Sequence, residues 1–233
     1  MNHRWLTVAA LQGRDLSRRR MALLVLIGLP LAWYTSSAAA GLDYAVGSGT
    51  LGVGWCVGAT ALFTVLGGRS VDPRLVQAGF RPWELLAGRL LTLLGASLVL
   101  STFFATVMVL GSHPNRPGTV VLSIVLIGVV SIGVGLLAAA VVPRELEGTL
   151  LLIAFVGLQI GIPTAVADWM PYYGPLRMTD TSLPPANLGL LSAHAIGSAV
   201  ILALVAGALW YRRVRLTPGR RAAPRRAEMS ALR

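Results

Sequence analysis

The hydrophobic residues of this chain cluster into six long, continuous runs that are separated by shorter polar segments. Each run is close to the roughly twenty residues that an α-helix needs to cross a hydrocarbon layer about 30 Å thick. The runs are continuous rather than alternating, which favours helices, because a helix satisfies its own backbone groups within lipid. We therefore predict an all-α integral membrane protein with six transmembrane helices, at residues 21–39, 50–67, 83–110, 120–142, 145–165 and 190–211.

The polar segment between the second and third runs, residues 70–89, contains the signals for a short helix of its own. Asp72 offers a side-chain acceptor at a helix start, and the following Pro73 already has a helical φ angle. Gly79 supplies a stop, because glycine readily takes the left-handed conformation that closes a helix. The spacing of these residues predicts a short helix over residues 73–78.

The end of the same segment predicts the start of the third span. Pro82 suits a first helical turn, and Glu84 places an anion where the helix dipole favours one. With Arg74 and Arg81 close to the short helix, residues 70–82 are predicted to form a stiff, amphipathic bracket. We expect this bracket to contact a partner in the cytosol; the alternative is a plain cytosolic loop that arginines anchor.

The N-terminal segment, residues 3–20, predicts an amphipathic helix that lies on the membrane surface. One face carries polar and charged side chains, Arg14 and Arg18 among them, while Leu11 is its one apolar residue. The other face is apolar, as in helices that bind to a membrane interface, and it consists of Trp5, Leu6, Ala9 and Leu16. A frayed basic tail is the alternative.

Composition excludes a soluble protein. The chain is 55% hydrophobic and only 12% charged, whereas about a quarter of the residues in soluble domains are charged. All twenty basic residues are arginine, which, together with abundant Ala, Gly and Val, suggests a GC-rich bacterial genome. Cys56 is the one cysteine, so neither a disulfide framework within one chain nor a cysteine metal site is available.

The positions of the arginines orient the predicted spans, and they argue against nucleic acid as the partner of a chain with net charge +11. Arg116 and Arg177 fall on one side of the predicted membrane, and the other eighteen arginines fall on the opposite side. The positive-inside rule then places both termini and the bracket in the cytosol, with the protein in the bacterial inner membrane. The tail, residues 212–233, is expected to lie on anionic lipid.

The connection between the fifth and sixth spans, residues 166–189, is rich in aromatic residues and proline. Side chains such as Trp169, Tyr172 and Tyr173 prefer the membrane interface. We expect this connection to dip back into the outer membrane surface as a re-entrant segment, and a solvated loop is the alternative.

The glycine motifs favour helix packing over nucleotide binding. Residues 47–52 match GxGxxG, but they open a membrane span, whereas dinucleotide binding requires a preceding strand. Two pairs, Gly54 with Gly58 and Gly157 with Gly161, have the spacing that lets membrane helices approach closely. The sequence contains no P-loop motif, so we do not expect this chain to hydrolyse nucleotide by that route.

Polar side chains within the predicted spans are few, and none forms an obvious catalytic group. A serine or cysteine nucleophile has no base within obvious reach, so we do not expect an enzyme. Gln159, in the middle of the fifth span, makes either an interhelical hydrogen bond or a contact with cargo. The possible cargo path consists of Ser101, Gln159 and Pro163.

Together these features resemble the membrane subunit of an ABC transporter of the type-2 exporter permease family, over essentially all six predicted spans. The N-terminal amphipathic helix resembles the connecting helix of that family, and residues 73–79 resemble its coupling helix. The sequence GFRPWELLAGR at 79–89 resembles the start of its third span. The sequence QIGIP at 159–163 is similar to the end of its fifth span, and the aromatic segment that follows resembles its re-entrant outer connection.

The resemblance implies a permease that dimerises with a second copy or a homologue and docks separate cytosolic ATPase subunits. ATP and Mg would bind in those partners, and no cofactor is implied for this chain. The expected cargo is amphipathic or hydrophobic (a drug, antibiotic or lipid), because the spans offer mostly apolar walls. The implied coupling residues are Asp72, Pro73, Arg74, Leu75, Val76, Gln77, Gly79, Phe80 and Arg81, and those of the connecting helix are Trp5, Arg14 and Arg18.

The predicted organisation has three parts: a connecting helix at 1–20, a transmembrane domain at 21–211 and an arginine-rich tail at 212–233. The transmembrane domain includes the bracket and the outer segment at 166–189. A function of a different class would use the same six spans in a membrane-embedded enzyme, or in an accessory or immunity protein without transport activity.

Overall fold

A computed structural model describes residues 4–18, 20–41, 44–161, 164–180 and 187–216, and no strand occurs within these ranges. The chain folds there into helices that run along a bundle, joined by short connections. In chain order they are α1 (Arg4–Arg18), α2 (Arg20–Ala39), α3 (Ala45–Gly68), α4 (Asp72–Gln77), α5 (Pro82–Ser112), α6 (Pro117–Val141), α7 (Glu145–Gly161), α8 (Thr164–Ala167), α9 (Tyr173–Met178) and α10 (Leu188–Leu216).

Four helices in the described part of the chain are long and apolar enough to cross a membrane: α3, α5, α6 and residues Leu188–Arg213 of α10. The predicted class, an all-α protein with membrane-spanning helices, agrees with this finding. The predicted number of six spans remains a prediction, because α2 and α7 are not among these four. Within the described residues, the fifth predicted span, 145–165, corresponds to α7, which has 17 residues, and to the start of α8.

The centre of the bundle is the contact between α3 and α6. In each of these helices 72% of the apolar stretch is buried, against 33% in α5 and 17% in α10. Glycines bring their backbones together: a Cβ at Gly54 would lie 3.1 Å from Ile127 Cγ1, and a Cβ at Gly135 would meet the carbonyl oxygen of Gly58. The predicted close packing at Gly54 and Gly58 is therefore confirmed.

The second glycine pair differs from the first. A Cβ at Gly157 would meet nothing within 4 Å, and the side-chain surroundings of Gly161 lie outside the described part of the structure. Among the described residues, Gly157 therefore does not bring two helices together, although its spacing predicted such a contact.

Described arginines from several segments lie at one end of the bundle, which we call the arginine-rich end. Here α3 and α6 end and α5 begins, Arg69 contacts the carbonyl oxygen of Pro143, and the charge of Arg213 contributes to lowering the pKa of Arg69. The opposite end holds the hydrogen bond between Tyr34 Oη and Ser112 Oγ, 2.7 Å long. This segregation of charge agrees with the arrangement that the arginine positions predicted.

Candidate functional site

The bracket contains the short helix that its Asp-Pro start and Gly stop predicted, shifted by one residue to Asp72–Gln77. Gly79 has a φ angle of +91°, which favours glycine strongly over other residues. Its N–H donates to Val76 O (3.0 Å) and the N–H of Phe80 donates to Leu75 O (3.0 Å). These two bonds form a Schellman motif, which satisfies the last carbonyls of α4, so the predicted stop at Gly79 is confirmed.

The start of α4 differs from the prediction, because Asp72 does not cap the helix. The N-cap position is Val71, no side chain caps the helix there, and Pro73 lies in the first turn. The Asp72 carboxylate instead accepts two hydrogen bonds from Arg89, 3.0 Å from Nη2 to Oδ1 and 3.2 Å from Nη1 to Oδ2. The predicted capping role of Asp72 is therefore wrong, and its carboxylate joins α4 to α5.

This ion pair is enclosed by the protein, with the side chains of Arg89 and Asp72 only 1% and 6% exposed. Two parallel N–H···O bonds fix the guanidinium and carboxylate in one plane. Sequence reasoning did not assign Arg89 a role; the available signal was a charged residue two turns into an apolar run. The pair makes the bracket a rigid extension of the bundle.

The start of α5 matches the prediction. Pro82 is the first helical residue, and Arg81, at the N-cap, has an extended backbone. The Glu84 carboxylate is buried and accepts the backbone N–H of Arg81 at 2.8 Å. Glu84 therefore satisfies an N-terminal donor and also places its charge at the positive end of the helix dipole.

Arg69, just after α3, caps the C-terminal end of α6. Its Nη1 donates to Pro143 O (2.8 Å), and its Nη2 donates to Val142 O (2.6 Å) and also to Ala139 O. These carbonyls are among those that a helix end leaves unsatisfied, and a cation there also complements the helix dipole. Burial, and then the nearby charge of Arg213, lower the pKa of Arg69 from its usual value.

The two faces of the bracket differ in their surroundings. Leu75, Val76 and Phe80 are partly buried and pack against the core of the bundle. Leu75 and Phe80 also line a groove of about 370 Å³ that α1 and α3 share with the bracket. The exposed residues of the bracket that carry predicted coupling roles are Arg74, Gln77, Gly79 and Arg81.

The predicted connecting helix corresponds to α1, and it lies along the first turns of α5. Thr92 Oγ1 donates to Ala9 O at 3.1 Å. A Cβ at Gly88 would lie 2.7 Å from Trp5 O and 2.8 Å from Val8 Cβ, so only glycine permits this approach. Trp5 is partly buried, whereas Arg14 and Arg18 are exposed on the far face. Trp5, Val8 and Ala9 of α1 therefore lie toward α5, whereas Leu6, which the sequence placed on the same apolar face, is exposed.

The predicted cargo-path residues lie in different places. Ser101 is fully buried, and its Oγ donates to Ile124 O at 3.1 Å, which joins α5 to α6. Gln159 is partly buried in α7, with its Nε2 3.4 Å from Met170 Sδ. Pro163 lies outside the described residues. Ser101 and Gln159 thus contact different elements, and their role in a cargo path remains a prediction.

Residues 166–180 of the outer segment reach into the interior of the bundle at Tyr172. The Tyr172 side chain is buried, its Oη lies 2.7 Å from Ser131 Oγ, and its ring meets Phe155 edge to face at 5.4 Å. Nearer the start of α6, Ser123 Oγ donates to Pro175 O at 2.6 Å. The segment thus packs against α6 and α10, and Tyr172 also contacts Phe155 of α7.

Tyr172→Phe is expected to destabilise the protein by roughly 0.5–1.5 kcal/mol, the usual net contribution of one hydrogen bond. The ring contact with Phe155 survives, and Ser131 Oγ still donates to Ile127 O. Thermal unfolding in detergent measures the effect. Tyr173→Phe is the control, because the Tyr173 hydroxyl makes no hydrogen bond to the described residues while its ring packs against His194. Equal losses in both variants would contradict a special role for the Tyr172 hydroxyl.

Within the described residues, no three His, Cys, Asp or Glu side chains are placed so that they could hold a metal ion together. The arginine-rich end therefore holds two links between elements: one buried ion pair joins α4 to α5, and Arg69 joins the end of α3 to the end of α6. Comparison with models of protein families finds no match for this sequence, and comparison with curated proteins finds none either.

Proposed function

We propose that this chain is the permease subunit of an ATP-driven exporter, coupled to separate cytosolic ATPase subunits through the bracket. The observation that carries the proposal is the buried, two-bond pair between Asp72 and Arg89. A surface loop would need no such anchor. A helix that receives force from another protein does need one, because force is transmitted only where the contact is stiff.

The contacts of the bracket provide a route for such force. A push on α4 reaches α5 through Asp72 and Arg89, and the following residues lead from the Gly79 turn directly into the start of α5. Arg69, at the end of α3, holds the C-terminal carbonyls of α6. Movement of the bracket would therefore tilt α3, α5 and α6 together rather than bend a single loop.

The proposed docking face consists of the exposed polar residues of the bracket, with Arg74, Gln77 and Arg81 as its main side chains. Leu75 and Phe80 line the groove beneath and hold the bracket to the bundle. Two exposed guanidinium groups on one short segment favour a partner surface with acidic side chains, since complementary charge speeds and orients association.

We also infer how the chain lies in the membrane and what it assembles with. The chain has six spans in a bacterial inner membrane, with both termini and the bracket in the cytosol and the outer segment re-entrant. It pairs with a second copy or a homologue to enclose a path for an amphipathic or hydrophobic cargo. The apolar surfaces of α5 and α10, which are largely exposed in the single chain, are available for lipid and for that second subunit.

The charge reversal Arg74→Glu is expected to weaken association with the ATPase at least tenfold, about 1.4 kcal/mol, and to reduce export in parallel. Arg74 is exposed, so insertion and folding should not change. Co-purification of the ATPase from detergent extracts and efflux from intact cells measure the two effects.

Arg177→Glu is the matched control, because Arg177 is also exposed but lies on the outer segment, at the other end of the bundle. If both variants bound the ATPase equally well, the docking role of the bracket would be refuted. If no ATPase with a P-loop co-purified with the unaltered chain, the proposed function itself would fail.

A further inference from the structure

A cavity of about 190 Å³ lies at the arginine-rich end, enclosed by α3, α4, α5, α6 and α10. One side is charged and is lined by Arg69, Arg89 and Arg213, with Asp72 among them. The other walls are apolar, with Leu86 of α5, Leu136 of α6 and Trp210 of α10 as the larger side chains. The cavity therefore combines a strongly basic side with walls that suit hydrocarbon.

Among the described residues that line this cavity, the charged side chains are mostly positive. Three guanidinium groups face one carboxylate, and that carboxylate is already held by Arg89. Arg69 binds only uncharged carbonyl oxygens, and the charge of Arg213 is close enough to contribute to the lowered pKa of Arg69. An anion in the cavity would relieve this repulsion.

Two of the guanidinium groups, those of Arg69 and Arg89, each keep one N–H without an acceptor among the described residues. The Nε atoms of Arg69 and Arg89 are buried and make no hydrogen bond to any described residue. An unsatisfied buried N–H is costly, especially on a charged group. Arg89 itself is 1% exposed and lines the cavity, so an oxygen-rich anion placed there would meet donors that the protein leaves open.

We propose that this cavity binds the phosphate headgroup of an anionic phospholipid, with the adjoining part of an acyl chain against Leu86, Leu136 and Trp210. Its position at the ends of apolar helices gives access from the membrane, and basic pockets between such helices are typical sites for anionic headgroups. A cavity of roughly 150 Å³ accommodates a molecule of the size of benzene. This cavity therefore holds the headgroup and the first carbons, while the chains continue outside.

The bound lipid would join α10 to the bracket, since the cavity is lined by residues of both elements. This inference does not rest on the proposed transport function, because it follows from the cavity alone. It also differs from adsorption of the basic tail to a membrane, since it assigns one enclosed site with defined walls.

The test uses the purified full chain, titrated with phosphatidylglycerol, with phosphatidylcholine and with inorganic phosphate. Bound lipid is counted by native mass spectrometry, and protection is measured by thermal unfolding. Arg213→Gln removes one charge from the cavity, and Arg212→Gln is its control, an adjacent exposed arginine that does not line the cavity. Gly207→Leu fills the cavity toward Leu86, and Gly197→Leu, where a Cβ meets nothing within 4 Å, is its control on the same helix.

The expected result is saturable binding of phosphatidylglycerol in preference to phosphatidylcholine. Arg213→Gln should weaken it about fivefold, the ratio that about 1 kcal/mol per arginine implies. Gly207→Leu should abolish the saturable phase, and both controls should bind as the unaltered chain does. Equal weakening by Arg212→Gln and Arg213→Gln would show diffuse adsorption and overturn the site. Protection by inorganic phosphate as strong as that by phosphatidylglycerol would overturn the lipid assignment.

Discussion

Asp72→Ala is expected to destabilise the protein by about 3–5 kcal/mol, the usual result of removing one partner from a buried ion pair. The substitution leaves the Arg89 guanidinium with a side-chain exposure of 1% and without its carboxylate. It also releases α4 from α5, because both hydrogen bonds between their side chains are lost. Thermal unfolding of the detergent-solubilised protein measures the loss, and the proposed transport function predicts that the same variant abolishes export.

Two comparisons show whether burial causes this effect. Glu147→Ala removes one partner of the exposed Arg144–Glu147 pair, 3.5 Å apart at the same end of the bundle, and should cost no more than about 1 kcal/mol. The double variant Asp72→Leu with Arg89→Met removes both charges and should recover most of the lost stability. If Asp72→Ala cost no more than Glu147→Ala, the pair would not anchor the bracket.

Gly135→Val is expected to cost about 1–3 kcal/mol or more, because it forces apart the two helices at the centre of the bundle. A Cβ at this position would meet the carbonyl oxygen of Gly58 and lie 2.8 Å from Ala61 Cβ. Backbone atoms of α3 cannot move aside as a flexible side chain can, so the excess volume becomes strain. Without a hydrophobic force between helices in lipid, such close packing is a main source of their association.

Gly157→Val is the matched control, since it places the same β-branched side chain in a helix where a Cβ meets nothing within 4 Å. The difference between the two unfolding temperatures removes the change in helix propensity that is common to both substitutions. Cysteine crosslinking between α3 and α6 would report the separation directly. Equal effects of the two substitutions would show that the α3–α6 contact is not limited by backbone approach.

The sequence predicted best those features that are encoded locally. The short helix of the bracket, its stop at Gly79 and the start of α5 at Pro82 follow from Pro, Gly and Glu within a few residues of each boundary. The all-helical class and the four long apolar helices follow from continuous hydrophobic runs. These signals are strong because a backbone in lipid must satisfy its own hydrogen-bonding groups, and a helix is one of the few conformations that do so.

The features that sequence reasoning missed depend on partners far away in the chain. Asp72 has a carboxylate that suits a helix cap, but Arg89, 17 residues later, competes for it with two charge-assisted bonds. The contact of Tyr172 with Ser131 spans 41 residues. No periodicity or motif records which face of one helix meets another, so these pairings appeared only in the folded chain.

The capping of α6 by Arg69 has a consequence for the order in which the protein is made. The arginine and Pro143, whose carbonyl it binds, are 74 residues apart. At about 5–20 residues per second, the ribosome would synthesise Pro143 roughly 4–15 seconds after Arg69. During that interval the guanidinium has only water and lipid headgroups as partners, which holds the C-terminal end of α3 at the membrane surface. The link from the end of α3 to the end of α6 would therefore form only after the whole of α6 has been synthesised.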